Sequence, residues 1–381
     1  MTHTIDYRLG RQEMKHILYY LGALGSGGIE SATVSLCNHF DDVVIDFLVD
    51  TEDSVQNQYY VNTIKNSRGK IYCLSYFYGG SRQNIWSRFA AFFRIGRSGI
   101  FSGLHFHVSY PSTLLYGLFA KAGGMKKLYA TSHAKGTSIQ NALFMLIQRL
   151  SRVAFPPFYT TLFAVSEGAG KWCYGKNSFI VIPNSIDANK FRYSVEERQK
   201  VRKELGANDS LIFGHIGRFA KDKNHSFMID LFAMLNKRYT NSILLLIGEG
   251  PLLPAIKNKC ESLGILQSVR FLPFTSNPEK YLWAMDYFLF PSLSEGFGLV
   301  AVEAQAASLP VVASINIPKD TKVTDIISYH PLDLKEWYDY ILKLKETPQK
   351  RDIINSAKLK SFDVSEICKQ LENYYLHENR S

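Results

Sequence analysis

Short apolar runs, each followed by a longer amphipathic stretch, recur along this chain in two successive series, and that alternation limits the folds open to it. In the first series HILYYLG (16–22), VVIDFLV (43–49), KIYCLSY (70–76), GLHFHVSY (103–110), KLYATSH (127–133), LFAVSE (162–167) and SFIVIPN (178–184) read as strands. In the second, LIFGHIGR (211–218), SILLLIGEG (242–250), SVRFLPF (268–274), YFLFPS (287–292) and LPVVAS (309–314) do the same. Helices are expected from about Ile29, between the fourth and fifth runs, and at about 224–238 and 251–263. Parallel neighbours need a crossover between them, so strands alternating with helices predict parallel sheets. The fold class is therefore α/β, with two doubly wound, Rossmann-like domains facing a central cleft. The polar stretch SVEERQKVRKELGANDS (194–210) separates the series and puts the boundary near 184–195. Residues 1–184 form one domain and 185–363 the other. An amphipathic C-terminal helix, about 364–381, is expected to pack back on the first.

The length of 381 residues fits two domains, and 46% hydrophobic with 20% charged residues is a globular balance. No apolar run reaches the length of a spanning helix, and the N-terminus has no signal-peptide core. Five cysteines (37, 73, 173, 260, 368) form no CxxC pair and read as free thiols of a reducing cytoplasm. A net charge of +10 suits an anionic membrane or a phosphorylated substrate. Lys and Arg read as spread along the chain without a dense basic run. No nucleic-acid motif appears, so no nucleic-acid partner is expected.

In open α/β sheets ligands bind beyond the carboxyl ends of the strands, and the informative residues lie there. LGALGSGGIES (21–31) places Gly22, Gly25, Gly27 and Gly28 between a strand and a helix, where backbone N–H groups suit a phosphate or sugar oxygen. Asp50 lies at the distance of a dinucleotide-binding acid, but the GxGxxG spacing fails: Glu30 stands three residues after Gly27. A purely structural turn is the alternative. In HIGRFAKDKNHS (215–226), Arg218 and Lys223 at a strand end suit a diphosphate, or are two solvated loop cations. In SEGFGLVAVEA (294–304), Gly296 and Gly298 allow close backbone approach, and the helix start offers N–H groups at Gly298, Leu299 and Val300. Glu295 suits sugar hydroxyls and Glu303 a ribose diol. The plain alternative makes Glu295 a helix cap and Glu303 a surface residue, though Ala and Val surround Glu303.

Glu295 and Glu303 fit the E-x7-E motif, and the chain here resembles the retaining family-4 (group 1) glycosyltransferases of GT-B fold. GSGGIE, LHFHVS, TSH, AVSE, IPNSID (182–187), IGRFAKDKN and LIGEGP resemble further blocks of that family, in order, across nearly the whole chain. The likeness is best to bacterial enzymes of capsular and exopolysaccharide assembly. It implies a sugar transferred, with retention, from a nucleotide-diphosphate donor (a UDP-sugar before others) to a hydroxyl of a lipid-linked glycan. By that resemblance Arg218 and Lys223 hold the diphosphate, Glu303 the ribose, and Glu295 with the backbone of Phe297 and Gly298 the sugar. His133 sits near the reacting centre, and Gly27 and Gly28 line the phosphate or acceptor side. Pro273 and SINIPKDTK (314–322) depart from the family pattern, which leaves the base and that loop's contacts open. No DxD triplet occurs. Cations and helix N–H groups are expected to stand in for a metal, with no cofactor.

His105 and His107 alternate along a strand and are taken to point to opposite faces, with His107 either at the cleft on the acceptor side or in the core. NIWSRFAAFFRIGR (84–97) carries Trp86, Phe89 and Phe93 on one stripe, and FMLIQRLSRVAFPPF (144–158) carries Arg149 and Arg152. Both are expected to pack on the sheet, with an anionic membrane as the alternative. The resulting expectation is a cytoplasmic protein, with peripheral contact at the inner membrane face left open. The rival functions are a GT-B epimerase acting on the nucleotide sugar without an acceptor, a GT-B phosphorylase needing inorganic phosphate or bound pyridoxal phosphate, an NAD(P)-dependent oxidoreductase using the first glycine loop, and a non-catalytic sugar-binding subunit.

Overall fold

The computed structural model describes residues 14–25, 28–55, 58–78, 84–137, 139–346, 351 and 356–377. The first sheet holds β1 (Lys15–Gly22), β2 (Val43–Val49), β3 (Ile71–Cys73), β4 (Gly103–Val108), β5 (Leu128–Ser132), β6 (Thr161–Ala164) and β7 (Ile180–Val181). Its spatial order is β3-β2-β1-β4-β5-β6-β7, parallel throughout. The second holds β8 (Leu211–Ile216), β9 (Ser242–Ile247), β10 (Val269–Leu272), β11 (Tyr287–Phe290), β12 (Val311–Ser314) and β13 (Ile327–His330). Its order is β10-β9-β8-β11-β12-β13, also parallel. Strands buried on both faces read as near-continuous apolar runs, as VVIDFLV, interrupted only by Asp46, and the ILLLI of β9 do, each strand buried along its full length.

Two departures from the sequence pattern have local causes. KIYCLSY is a strand only over Ile71–Cys73 and then turns into a 3₁₀ segment, Leu74–Phe77. The edge strand β13 was not anticipated: its four residues, ISYH, are mostly half-buried and carry no apolar run.

In both sheets the strand order reverses once, between β1 and β4 and between β8 and β11. Crossovers leave on opposite faces there, which opens a crevice at the carboxyl ends. One core packs α1 (Gly28–Leu36), α2 (Gln58–Asn66) and the C-terminal helix Val364–Leu376 against the first sheet. On the opposite face lie α3 (Ile85–Arg97) and α4 (Leu115–Ala122). Gly96 brings α3 and α4 so close that any side chain there would overlap the Ala120 carbonyl. α5 (Ala142–Ala154) seats on the turn after β4, where the Gln148 side chain bonds the Ser112 backbone N–H at 3.0 Å and its Oγ at 3.1 Å.

The expected packing of Trp86, Phe89 and Phe93 on the sheet is not what forms. The face of α3 that enters the core carries Ala91, Phe92 and Ile95, while Trp86 and Phe93 are exposed. Phe89 stacks on Phe119 of α4 at 4.2 Å. The aromatic stripe and the Phe92 face lie on different sides of the helix, and the second fills the core.

The chain crosses to the second half at Ile186 and returns at Asp363, and the two crossings bond each other: Ile186 N–H to the Phe362 carbonyl and Val364 N–H to the Ile186 carbonyl, both at 2.9 Å. The returning helix places the Tyr375 hydroxyl 2.7 Å from the Tyr19 hydroxyl and 2.6 Å from His105 Nδ1, all buried. Tyr375→Phe removes the group that serves both. The expected loss is about 1–3 kcal/mol of stability, the usual cost of an orphaned buried polar atom, read from the urea midpoint at unchanged slope.

Candidate active site

The loops after β8 and β11 meet at the switch point of the second sheet, tied by the Leu293 N–H donating to the Asp222 carbonyl at 2.7 Å. Asn224 takes a left-handed conformation (φ 53°), which reverses the chain from the Lys221–Lys223 turn into the helix His225–Arg238. Lys223 lies just before this reversal, and its Nζ bonds both carboxylate oxygens of Glu295, at 2.6 and 2.7 Å. Asp222 lies 3.3 Å from the same Nζ. Arg218, just past the end of β8, is exposed; its carbonyl accepts from the Ala220 N–H at 2.8 Å, while its guanidinium has no hydrogen-bond partner among the described residues.

Glu295 therefore does not cap the helix Leu299–Ala306. The N-cap is Gly298 at φ 91°, where no side chain caps the first turn. The N–H groups of Leu299 and Val300 belong to that uncapped turn. The Phe297 ring is buried and stacks on Phe362, so only its backbone is placed for a ligand.

Glu303 is half-buried on the same helix, and its carboxylate has no hydrogen-bond partner among the described residues. Desolvation raises its pKa to about 7, Lys190 pulls it down, and Glu279 adds to the rise. Lys190 Nζ lies 3.4 Å from the buried Glu279 carboxylate, whose pKa is likewise raised by burial. Sequence reading missed Lys190 and Glu279. Lys190 stands three residues beyond IPNSID, but nothing local signals that it reaches a carboxylate so far along the chain.

The first half supplies the opposite wall. The backbone of Gly296 comes so close to His133 that a Cβ on Gly296 would lie 3.0 Å from the His133 carbonyl oxygen. Tyr60 packs edge-on to Phe274 across the halves, at 6.5 Å between ring centres, and its burial raises its pKa to about 12. Glu30 and Glu303 both lie near enough to Tyr60 to add to that rise. Burial also pushes the Glu30 carboxyl up. Gly28 opens α1 with free space where a side chain would be. Gly27 lies outside the described residues.

The expectation that His105 and His107 face opposite ways is corrected. Side-chain direction flips at every strand residue, so positions two apart share a face. Their rings stack at 4.7 Å with 11° between planes. His107 Nδ1 lies 3.0 Å from His133 Nε2, and His105 spends both ring nitrogens on Tyr375 and Thr131. Burial drives the pKa of His133 and of His105 down to about 3 and that of His107 well below its ordinary value, so the row is neutral. His107 Nε2 and His133 Nδ1 have no partner among the described residues. The histidines line a cavity of about 30 Å³ with Asn184 and Ser185, room for one water-sized group.

Asp50 accepts from Tyr20 at 2.8 Å and from Arg88 at 2.7 Å, so it is engaged in the first half's own fold. This weakens the dinucleotide reading, whose spacing already failed.

Comparison with known proteins bears on the same residues. The family described as glycosyl transferases group 1 matches residues 197–358, the span that holds Arg218, Lys223, Glu295 and Glu303. Similar solved structures include HepE of Anabaena in complex with UDP and glucose, with a TM-score of 0.75 at 18% identity over 94% of this chain and 99% of that one. Residues 197–358 are thus similar to the group 1 glycosyl transferases, and the chain as a whole has the GT-B fold. Among relatives, the putative glycosyltransferase EpsF of Bacillus subtilis (strain 168) is 29% identical over 315 residues, 80% of each protein. An N-acetylgalactosamine-N,N'-diacetylbacillosaminyl-diphospho-undecaprenol 4-alpha-N-acetylgalactosaminyltransferase of Campylobacter jejuni is 34% identical over 116 residues, 30% of this chain and 31% of that protein.

The Glu303 carboxyl gives a pH-dependent stability of definite sign. Its folded pKa, about 7, lies above the ordinary 4.5, so the folded state binds the extra proton. Stability from this group falls as pH rises from about 4.5 to 7 and is flat above. Glu303→Gln should remove that slope and stabilise the ligand-free protein at pH 8 by about 1–2 kcal/mol, a figure reduced for partial exposure. The two proteins should match near pH 4. Paired urea titrations across that range make the comparison.

Proposed function

We propose that the protein is a retaining hexosyltransferase that moves a sugar from a UDP-sugar to a hydroxyl of a lipid-linked glycan, as in capsule or exopolysaccharide assembly. The observation that carries this reading is the grouping of Arg218, Lys223 with Glu295, Glu303 and an uncapped helix start at one switch point, facing His133. A diphosphate needs cations and backbone donors, and a ribose and a hexose need acceptors at its two ends. Groups of these kinds are present at the cleft. HepE, of the same fold, was crystallised with UDP and glucose, and the Campylobacter relative is named for an undecaprenyl-diphosphate acceptor.

In this mechanism Arg218 and Lys223 bind the diphosphate with the N–H groups of Leu299 and Val300, and stabilise the charge that grows as the sugar leaves. Lys223 must then turn from Glu295, which frees that carboxylate for sugar hydroxyls. Glu303, ionised, accepts from the ribose diol. The acceptor hydroxyl, bound on the side of Gly27, Gly28 and His107, attacks the anomeric carbon from the face the diphosphate leaves. The carbon–oxygen bond to the phosphate breaks, and the hydroxyl proton passes to a phosphate oxygen of the departing nucleotide. His133, neutral and with Nδ1 free, donates or accepts one hydrogen bond to the sugar. The cations and helix N–H groups do the work of a metal, and no cofactor takes part. Closure of the two halves excludes water.

Calorimetry with UDP and with GDP, in EDTA, tests the donor site. UDP should bind, and Arg218→Ala and Glu303→Ala should each weaken it about 10–100-fold, the worth of a charge-assisted hydrogen bond. Absence of binding by either nucleotide without metal would sink the site as drawn. Because Glu303 must be ionised to accept two donors, UDP affinity should rise as pH climbs through about 7, and the Glu303→Gln protein should lose that dependence. Transfer from a labelled UDP-sugar to a lipid-linked acceptor, with the anomeric proton coupling of the product read by NMR, checks the reaction and its stereochemistry.

A further inference from the structure

α5 is built inside out. Its seated face carries the polar pair Gln148 and Ser151, both buried, while Leu143, Leu146, Leu150 and Val153 are exposed, at 67%, 51%, 62% and 67%. The spacing of these four by three and four residues puts them in one row along the helix. Ile147 widens the row, and Phe158, just past the helix, is exposed as well. A helix whose apolar face is left in water and whose polar face is buried is missing its covering partner.

Charge identifies that partner. Lys and Arg are spread evenly along the chain, but the acidic residues are not: residues 54–166 contain thirteen Lys and Arg and no Asp or Glu. Of the chain's 44 basic and 34 acidic residues, this leaves 31 basic against 34 acidic elsewhere, so the net charge of +10 arises in the segment that holds α3, α4 and α5. Arg149 borders the apolar row, three residues from Leu146 and four from Val153, and is exposed; Arg152 follows one turn on. A second copy of this chain docking α5 on α5 would set arginine against arginine with no carboxylate in the segment to offset them. An anionic lipid surface accepts both the apolar row and the arginines. At 13 residues the helix is about 20 Å long, too short to cross a bilayer but able to lie in its surface. Among the described residues no helix is long and apolar enough to cross a membrane.

We infer that α5 docks in the plane of an anionic membrane, with Leu143, Leu146, Leu150 and Val153 in the acyl boundary and Arg149 and Arg152 among the headgroups. The helix rests on the turn that follows β4, with Phe144 edge-on to Tyr110, beside the strand end that carries His107. Docking therefore sets the acceptor side of the cleft at the lipid surface. This consequence rests on the glycosyl-transfer reading above, whereas the docking itself does not.

The test is co-sedimentation of the full chain with phosphatidylglycerol vesicles and with phosphatidylcholine vesicles, at low and at high salt. The wild type should bind the anionic vesicles, release as salt rises, and bind the zwitterionic ones several-fold less. Leu146→Glu with Leu150→Glu should lower binding to anionic vesicles about tenfold or more, with the melting midpoint and UDP binding unchanged. Arg149→Ser with Arg152→Ser should lower it less and remove part of the salt dependence. Equal binding by the leucine variant overturns the inference. So does a wild type that ignores vesicles but is a dimer that the leucine variant converts to monomer, for then a second copy covers the face. A wild type that ignores vesicles yet binds UDP leaves the donor site standing and removes the docking. One that binds vesicles but no nucleotide does the reverse.

Discussion

The two halves meet through a pair of chain crossings that bond each other where Ile186 lies beside Phe362 and Val364. A short backbone pairing fixes where the halves join while leaving few torsions to resist a change in their angle. The returning helix then spends its apolar face on the first core, so the second domain cannot drift from the first. With the joint so placed, both switch points look into one crevice, and the Gly296 backbone comes up against the His133 carbonyl. Gly296 is where a missing side chain matters: a Cβ would press on that carbonyl and hold the halves apart.

The crevice places carboxylates where the fold disfavours their charge. Glu30, Glu279 and Glu303 all sit where burial resists their ionisation, and Lys190, 3.4 Å from Glu279, offsets part of that cost at both Glu279 and Glu303. Glu295 is held by Lys223, a pair that satisfies both. A ligand bringing hydroxyls to the carboxylates and phosphate to the lysine relieves these costs together. Stability given up in the free protein then returns as affinity, and a neutral Gln at 303 should make a sturdier fold and a poorer site.

Most of the fold was legible in the sequence because central parallel strands are buried on both faces and are apolar at most positions. The pattern failed at the edges, at β3 and β13, where half of the surface is solvent. Arg218, Lys223, Glu295 and Glu303 were legible because they stand next to strand ends and glycines, features that local spacing reveals. Whether each was paired or open was not. That Lys223 grips Glu295, that Arg218 is unengaged and that Lys190 and Glu279 set the charge around Glu303 all depend on contacts between distant segments. The histidine row was misread for a simpler reason: positions two apart on a strand share a face, and His105 and His107 stack as that rule requires.

The amphipathic helices show a limit of another kind. A periodic pattern gives the two faces of a helix but not which face meets the protein. On α3 the expected stripe of Trp86, Phe89 and Phe93 yielded the core to Phe92 and Ile95. On α5 the inversion is complete, with Gln148 anchored to Ser112 and the leucines outside. The seat under α5 explains the choice. The turn after β4 offers a backbone N–H and a hydroxyl, which an apolar side chain would leave unpaired and the Gln148 amide satisfies. Once a polar residue is required below, the apolar row must face away. The protein then carries an uncovered apolar strip inside its only long stretch free of acidic residues, and hydrophobic and electrostatic terms favour the same occupant. A soluble acceptor would give neither feature a use. An acceptor held in a membrane gives both one, because the enzyme must then find its substrate in two dimensions with its cleft turned toward the lipid.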